Sequence, residues 1–155
     1  MLIDPSHSAQ ARRALRDLVP NGQRRIHFNG EKDGTRRRIL SQVARIPFDW
    51  RVYVTEGAKQ TESRERLLLH IAEDLVVAKA SLMVLESRHG QDEADRRLLY
   101  GRLGPAPRLQ YAHAEAATEP LLWLPDCLTR AWGRGGDYRK LLESLGISPQ
   151  VVDVE

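Results

Sequence analysis

Apolar residues recur along this chain with two periods, one helical and one strand-like, and their alternation predicts its elements. In residues 5–18, Ala11, Ala14, Leu15 and Leu18 fall at helical spacing with Arg12, Arg13 and Arg16 on the opposite side. Asp4 before Pro5 suits an N-cap followed by proline at the first helical position, and "PNG" (20–22) turns the chain. "RRIHF" (24–28) reads as a short strand and "NGEKDG" (29–34) as a loop. Ile39, Leu40, Val43 and Ile46 mark a second helix, surrounded by Arg36, Arg37, Arg38 and Arg45 and ended by Pro47. "DWRVYVTEG" (49–57) alternates Trp50, Val52 and Val54 with polar neighbours, the period of a strand. Residues 61–79 give the strongest helix, on the stripe Leu67, Leu68, Ile71, Leu75 and Val76.

"SLMVLES" (81–87) is an apolar run of strand length, the pattern of a central strand buried on both faces. A helix over 91–104 closes at Gly104, and "RLQYAHAE" (108–115) is the next strand. "EPLLWLPD" (119–126) then sets an apolar block between two carboxylates and leads into a helix carrying Leu128, Ala131 and Trp132. A "GRGG" break and a helix at 137–145 follow. Two readings fit the tail "SPQVVDVE": a loose strand or a disordered end. Alternation of strands and helices predicts an α/β fold in a single domain over 1–146, with 147–155 as a C-terminal tail.

Composition narrows the class. The chain has 155 residues, 41% hydrophobic and 29% charged, with a mean hydropathy of −0.48. No apolar run approaches the roughly 20 residues that span a bilayer. The start "MLIDPSHSAQ" lacks a basic segment followed by an apolar one, so a cytoplasmic location without membrane contact is expected. The single Cys127 excludes an internal disulfide and a cysteine-based zinc site. Charge is uneven: residues 1–66 hold 14 Lys+Arg against 8 Asp+Glu, and residues 67–155 hold 10 against 13. A basic front half suits phosphates, and it also suits an arginine-rich solvated surface.

Candidate chemistry sits at element ends. Glu86 closes the most apolar strand, at the carboxyl end where α/β sheets collect ligands; it either offers the hard oxygen that Mg²⁺ prefers or begins a solvated loop beside Arg88. Asp126 opens the last main helix, where a carboxylate also answers the helix dipole. It shares a helix side with Arg130, opposite Leu124, Leu128 and Trp132. His27, His70 and His113 have no metal-ligand spacing and read as structural or surface histidines. No elbow motif supports a nucleophilic triad. Cys127 lies near a helix start, which lowers a thiol pKa, but its apolar neighbours point to a buried, inert thiol. Arg12, Arg13, Arg16, Arg36, Arg37 and Arg38 would form a phosphate-tracking surface if they share a face. Few aromatics are interleaved with them, which leaves base stacking unsupported.

Three stretches together resemble a known group: "GQRRIHF" with "GEKDGTRRRIL", then "LMVLESRHGQDEADRRLL", then "EPLLWLPDCLTRAWGRGGDYRKLL". They are similar to an actinobacterial group of uncharacterised proteins, itself similar to a larger family of unknown function with a ribonuclease-H-like fold. The resemblance implies a mixed sheet of about four strands with flanking helices. It also implies phosphodiester hydrolysis by two Mg²⁺ or Mn²⁺ ions held by clustered carboxylates. On that scheme Glu86 and Asp126 are the catalytic metal ligands, Glu31 assists, and the arginines track nucleic acid. The pattern departs at the front, where relatives begin with two strands, the first bearing an Asp-Glu-Ser type motif. The expected sheet is therefore N-terminally incomplete, and its exposed edge would take a strand from a second copy or a partner protein. Two functions follow. One is a ribonuclease-H-like nuclease that binds or cleaves nucleic acid with divalent metal. The other is a non-catalytic interaction module, such as a pseudoenzyme or a toxin–antitoxin or defence-system component, that completes a partner's sheet.

Overall fold

The structure, a computed structural model, describes residues 1–56 and 59–155. Gly57, the last residue of the expected strand at 49–57, lies outside them. The described residues form six helices and four strands: α1 (Pro5–Asp17), α2 (Asp33–Val43), β1 (Arg51–Val54), α3 (Gln60–Val77), β2 (Leu82–Glu86), α4 (Asp92–Leu103), β3 (Gln110–Ala114), α5 (Trp123–Gly133), α6 (Gly136–Ser144) and β4 (Gln150–Asp153). The class is α/β, as the alternation predicts. Among the described residues no helix is long and apolar enough to cross a membrane.

The strands differ from the expectation in three places. They make two two-stranded sheets, β1–β4 and β2–β3, where one sheet of about four strands is expected. Residues 24–28 form no strand; a 3-10 turn at Phe28–Gly30 follows them. Ile26 and Phe28 are buried by packing of an irregular segment, which the period of two does not distinguish from a strand. β2 is not buried on both faces, since Leu82 and Val84 are 55% and 37% exposed while Met83 is 5%. The expected tail contains β4. The Gln150 N–H donates to the Trp50 carbonyl and the Val154 N–H to the Val54 carbonyl, so the two strands advance together, in parallel.

The chain divides into two compact units. One comprises residues 1–51 and 116–150, the other 52–115 and 151–155. The first is helical. Asp4 caps α1 by accepting from the Ser6 N–H (2.8 Å), ahead of Pro5. The apolar stripes of α1, α2 and α5 bury Leu15, Ile39, Leu40, Val43, Leu124, Cys127 and Leu128 completely. "PLLWLPD" lies in this core: Pro120–Leu122 is a 3-10 turn that runs into α5, and Trp123 is buried with its ring N–H donating to the Ala116 carbonyl.

The second unit contains a β2–α4–β3 crossover with parallel register Leu82↔Gln110 through Glu86↔Ala114. Its core is Leu68, Ala72, Met83, Leu99 and Leu109, flanked by Ile71, Leu75, Leu85, Leu98 and Tyr111. Alternation along β2 sends Met83 and Leu85 into that core and leaves Leu82, Val84 and Glu86 outside.

Candidate nucleic-acid interface

In the first unit, α5 ends at Gly133 and α6 starts at Gly136. Gly135, with φ 68°, reverses the chain in a conformation that L side chains rarely adopt. The turn sets Tyr138 against Phe28, ring centroids 6.3 Å apart and edge to face. Three guanidinium groups converge on the Tyr138 ring: Arg36 at 5.9 Å, Arg37 at 5.4 Å and Arg134 at 5.6 Å from its centroid. Arg36 Nε donates to the Tyr138 hydroxyl (2.9 Å), which donates to Asp33 Oδ1 (2.7 Å), and Arg37 Nε donates to Asp33 Oδ2 (2.7 Å). Arg134 Nη2 reaches Asn29 Oδ1 at 3.4 Å.

The hydrogen bond from Arg37, then that from Tyr138, holds the Asp33 carboxyl below the usual aspartate range. Asp33 is the only carboxylate bonded to the cluster among the described residues; Asp137 acts on Arg37 through its field. Arg36 and Arg134 form no ion pair among the described residues. Three cations around one ring repel one another, and a bound anion relieves that repulsion. The whole unit carries 15 Lys+Arg against 9 Asp+Glu, net +6, while the second carries 9 against 12, net −3.

The other predicted arginines divide. Arg12 makes a two-pronged bond to Glu119, with Nε at 2.9 Å from Oε1 and Nη2 at 3.0 Å from Oε2, so it is spent inside the fold. Burial pushes the Glu119 carboxyl up, but the Arg12 bond, the Leu121 N–H and the charge of Arg16 together hold it below its ordinary value. Arg13, Arg16 and Arg38 are exposed. Sequence reasoning linked Arg36 and Arg37 to phosphate but missed Tyr138, Arg134 and Asn29, which come from segments about a hundred residues away or from a loop. The interleaving of "RAWGRGGDYRK" (130–140) is the signal that would have found them.

Each predicted carboxylate has its own surroundings. Asp126, in the first turn of α5, is bonded by Arg130 (2.7 Å) on the surface. Glu31 Oε1 accepts from the Gln23 amide (2.9 Å). Both belong to the first unit, while Glu86 is exposed at the end of β2 in the second. Among the described residues no group of three or more His, Cys, Asp or Glu is arranged to hold a metal ion. Burial, reinforced by the charge of Asp126, pushes the Cys127 thiol up to about 12, so it is not a nucleophile.

The second unit holds a polar cluster that sequence reasoning did not assemble. Asp95 on α4, 5% exposed, accepts from Arg64 Nη2 on α3 (2.6 Å) and lies 3.3 Å from His113 Nε2 on β3. Asp92 accepts from the Ser87 hydroxyl (2.5 Å) and the Arg88 N–H (2.8 Å), bonds that hold its carboxyl below the usual range. Asp92 therefore satisfies the loop entering α4. The Ser87 hydroxyl points to Asp92 and the His113 side chain is 3% exposed, so the group joins α3, α4 and β3 and presents no nucleophile. Comparison with protein families, with curated proteins and with solved structures finds no match for this chain.

Proposed function

We propose that the first unit binds the phosphate backbone of a nucleic acid through Arg36, Arg37 and Arg134. The observation that carries this reading is the convergence of three guanidinium groups on Tyr138 with one bonded carboxylate among them. The Tyr138 and Asp33 bonds fix Arg36 and Arg37 in direction, which lowers the entropy lost on meeting phosphate. Arg13, Arg16 and Arg38, all exposed, add charge to the same unit. Binding of labelled oligonucleotides should weaken linearly on a logarithmic salt scale. Replacing Arg36 and Arg134 together by Gln should make that slope shallower by roughly 1 to 2 units. Equal slopes and affinities for the two proteins would sink the proposal.

Cleavage by a ribonuclease-H-like centre is the stronger form of this reading. It keeps Mg²⁺ or Mn²⁺ as the ion required and Glu86, Asp126 and Glu31 as the carboxylates to be tested one by one. Its support is the position of Glu86 at the carboxyl end of a parallel strand pair. Metal-dependent cleavage of RNA or DNA by the wild type, lost in Asp126→Asn, is the expected result. No cleavage by the wild type, or equal cleavage by both, removes it.

A second reading, an interaction module completed by another strand, rests on β2. In the β2–β3 ladder the Ser81 carbonyl and Ser87 N–H face β3. Parallel alternation then turns the N–H and C=O groups of Leu82, Val84 and Glu86 to the open edge. That edge would admit a strand from a second copy or a partner protein. Sedimentation equilibrium with Val84→Pro separates these cases, because proline removes the central donor. Self-association that persists unchanged in the variant argues against the edge.

A further inference from the structure

Beside the Tyr138 cluster, the first unit holds a cleft of about 250 Å³ lined by Trp132, Arg139, Lys140, Glu143, Ser148 and Pro149. Its organising feature is the Arg139 guanidinium, which lies 4.1 Å from the Trp132 ring centroid. Arg139 Nε also donates to the Trp132 carbonyl at 3.1 Å. The side chain is thus fixed at two points although it is exposed, and it forms no ion pair among the described residues. One of its five donors is engaged, which leaves the terminal nitrogens for a ligand. Lys140 adds a second cation, Pro149 an apolar wall, and Glu143 and Ser148 an acceptor and a hydroxyl.

We propose that this cleft receives one unpaired base with its phosphate, so that the ligand class is single-stranded nucleic acid; the inference rests on the backbone-binding reading above. A guanidinium held 4.1 Å over an indole makes a platform for planar groups, and single strands supply bases free to stack there. In a duplex both faces of each base are covered by neighbours. A volume of about 250 Å³ is below the roughly 300–1,000 Å³ of sites for larger ligands, a size for one base rather than a paired stack. Lys140 and the outer Arg139 nitrogens meet the phosphate, while Glu143 accepts from a base N–H.

The test uses tryptophan emission, because Trp50 and Trp123 are 7% and 4% exposed and only Trp132 is open to a ligand. Addition of dT12 or U12 to the full chain should quench emission, and Trp132→Phe should abolish that quenching. Arg139→Gln should weaken single-strand binding by roughly 5- to 100-fold and leave a 12-base-pair duplex bound as before. Lys140→Gln should weaken it less. Equal affinity for strand and duplex without quenching overturns the cleft and leaves backbone binding standing. Binding of neither overturns both. Equal quenching by inorganic phosphate overturns the base-stacking part.

Discussion

In the unit of residues 1–51 and 116–150, Leu15, Ile39, Leu40, Val43, Leu124 and Leu128 are fully buried. In the unit of 52–115 and 151–155, Val76, Val77, Leu82, Val84, Tyr100 and Val151 stand at least 37% exposed. Charge follows the opposite arrangement. The first unit keeps most of its ionic groups at the surface, with the Arg12–Glu119 pair half-buried, and gathers three arginines around Tyr138. The second places Asp95 inside, bonded to Arg64 and His113. A closed apolar core frees the surface to specialise in charge. A thinner core with an open strand leans on a buried ionic tie and keeps apolar surface for contact. Under the readings proposed above, the first unit takes a polyanion and the second an extended chain.

The largest effect should come from the closed core. Leu128→Ala is expected to cost about 2–5 kcal/mol in urea unfolding, while Val84→Thr on the open strand should change stability by less than about 0.5 kcal/mol. If Val84→Thr proves as costly as Leu128→Ala, β2 is covered in solution and the contrast between the units fails. Next in size is the buried tie. Asp95→Asn leaves Arg64 without its counter-charge and should cost about 1.5–3 kcal/mol. Asp126→Asn breaks the exposed pair with Arg130 and should cost only about 0.3–0.5 kcal/mol. Equal costs would show that burial does not distinguish the two pairs.

The smallest effect concerns acid. Glu119 has a folded pKa below its unfolded value, so its contribution is complete above the ordinary glutamate range, about 4.3. It is lost as pH falls through the folded value. Urea midpoints measured downward from pH 6 should therefore fall less steeply for Arg12→Ala than for the wild type. Parallel curves would mean that Arg12 does not set the Glu119 titration.

The helices were legible because each buries one face at a period near 3.6, and burial alone fixes that pattern. α2, α3 and α5 follow from Ile39–Val43, Leu68–Leu75 and Leu124–Ala131 without knowledge of their neighbours. Strands require a partner, and the partner is not local. Ile26 and Phe28 alternate as in a strand, yet their backbone finds no ladder. Gln150–Asp153 have little burial to announce them and become β4 through bonds to β1. The same distinction governs the site. Arg36 and Arg37 stand out in sequence, whereas their convergence with Arg134 on one ring depends on α6 packing beside α2, across about a hundred residues.

The pairing of β1 with β4 also sets a timetable. The Trp50 carbonyl and Gln150 N–H are 100 positions apart, whereas β2 and β3 pair at a separation of 28, Leu82 with Gln110. Closing the longer loop costs about 1 kcal/mol more in chain entropy. On a ribosome adding roughly 5–20 residues per second, β1 waits on the order of 5–20 seconds for its partner to be made. The β2–α4–β3 segment is complete well before then. Of the two strand pairs, β2–β3 can therefore form first, and β1–β4 only once the end of the chain is made.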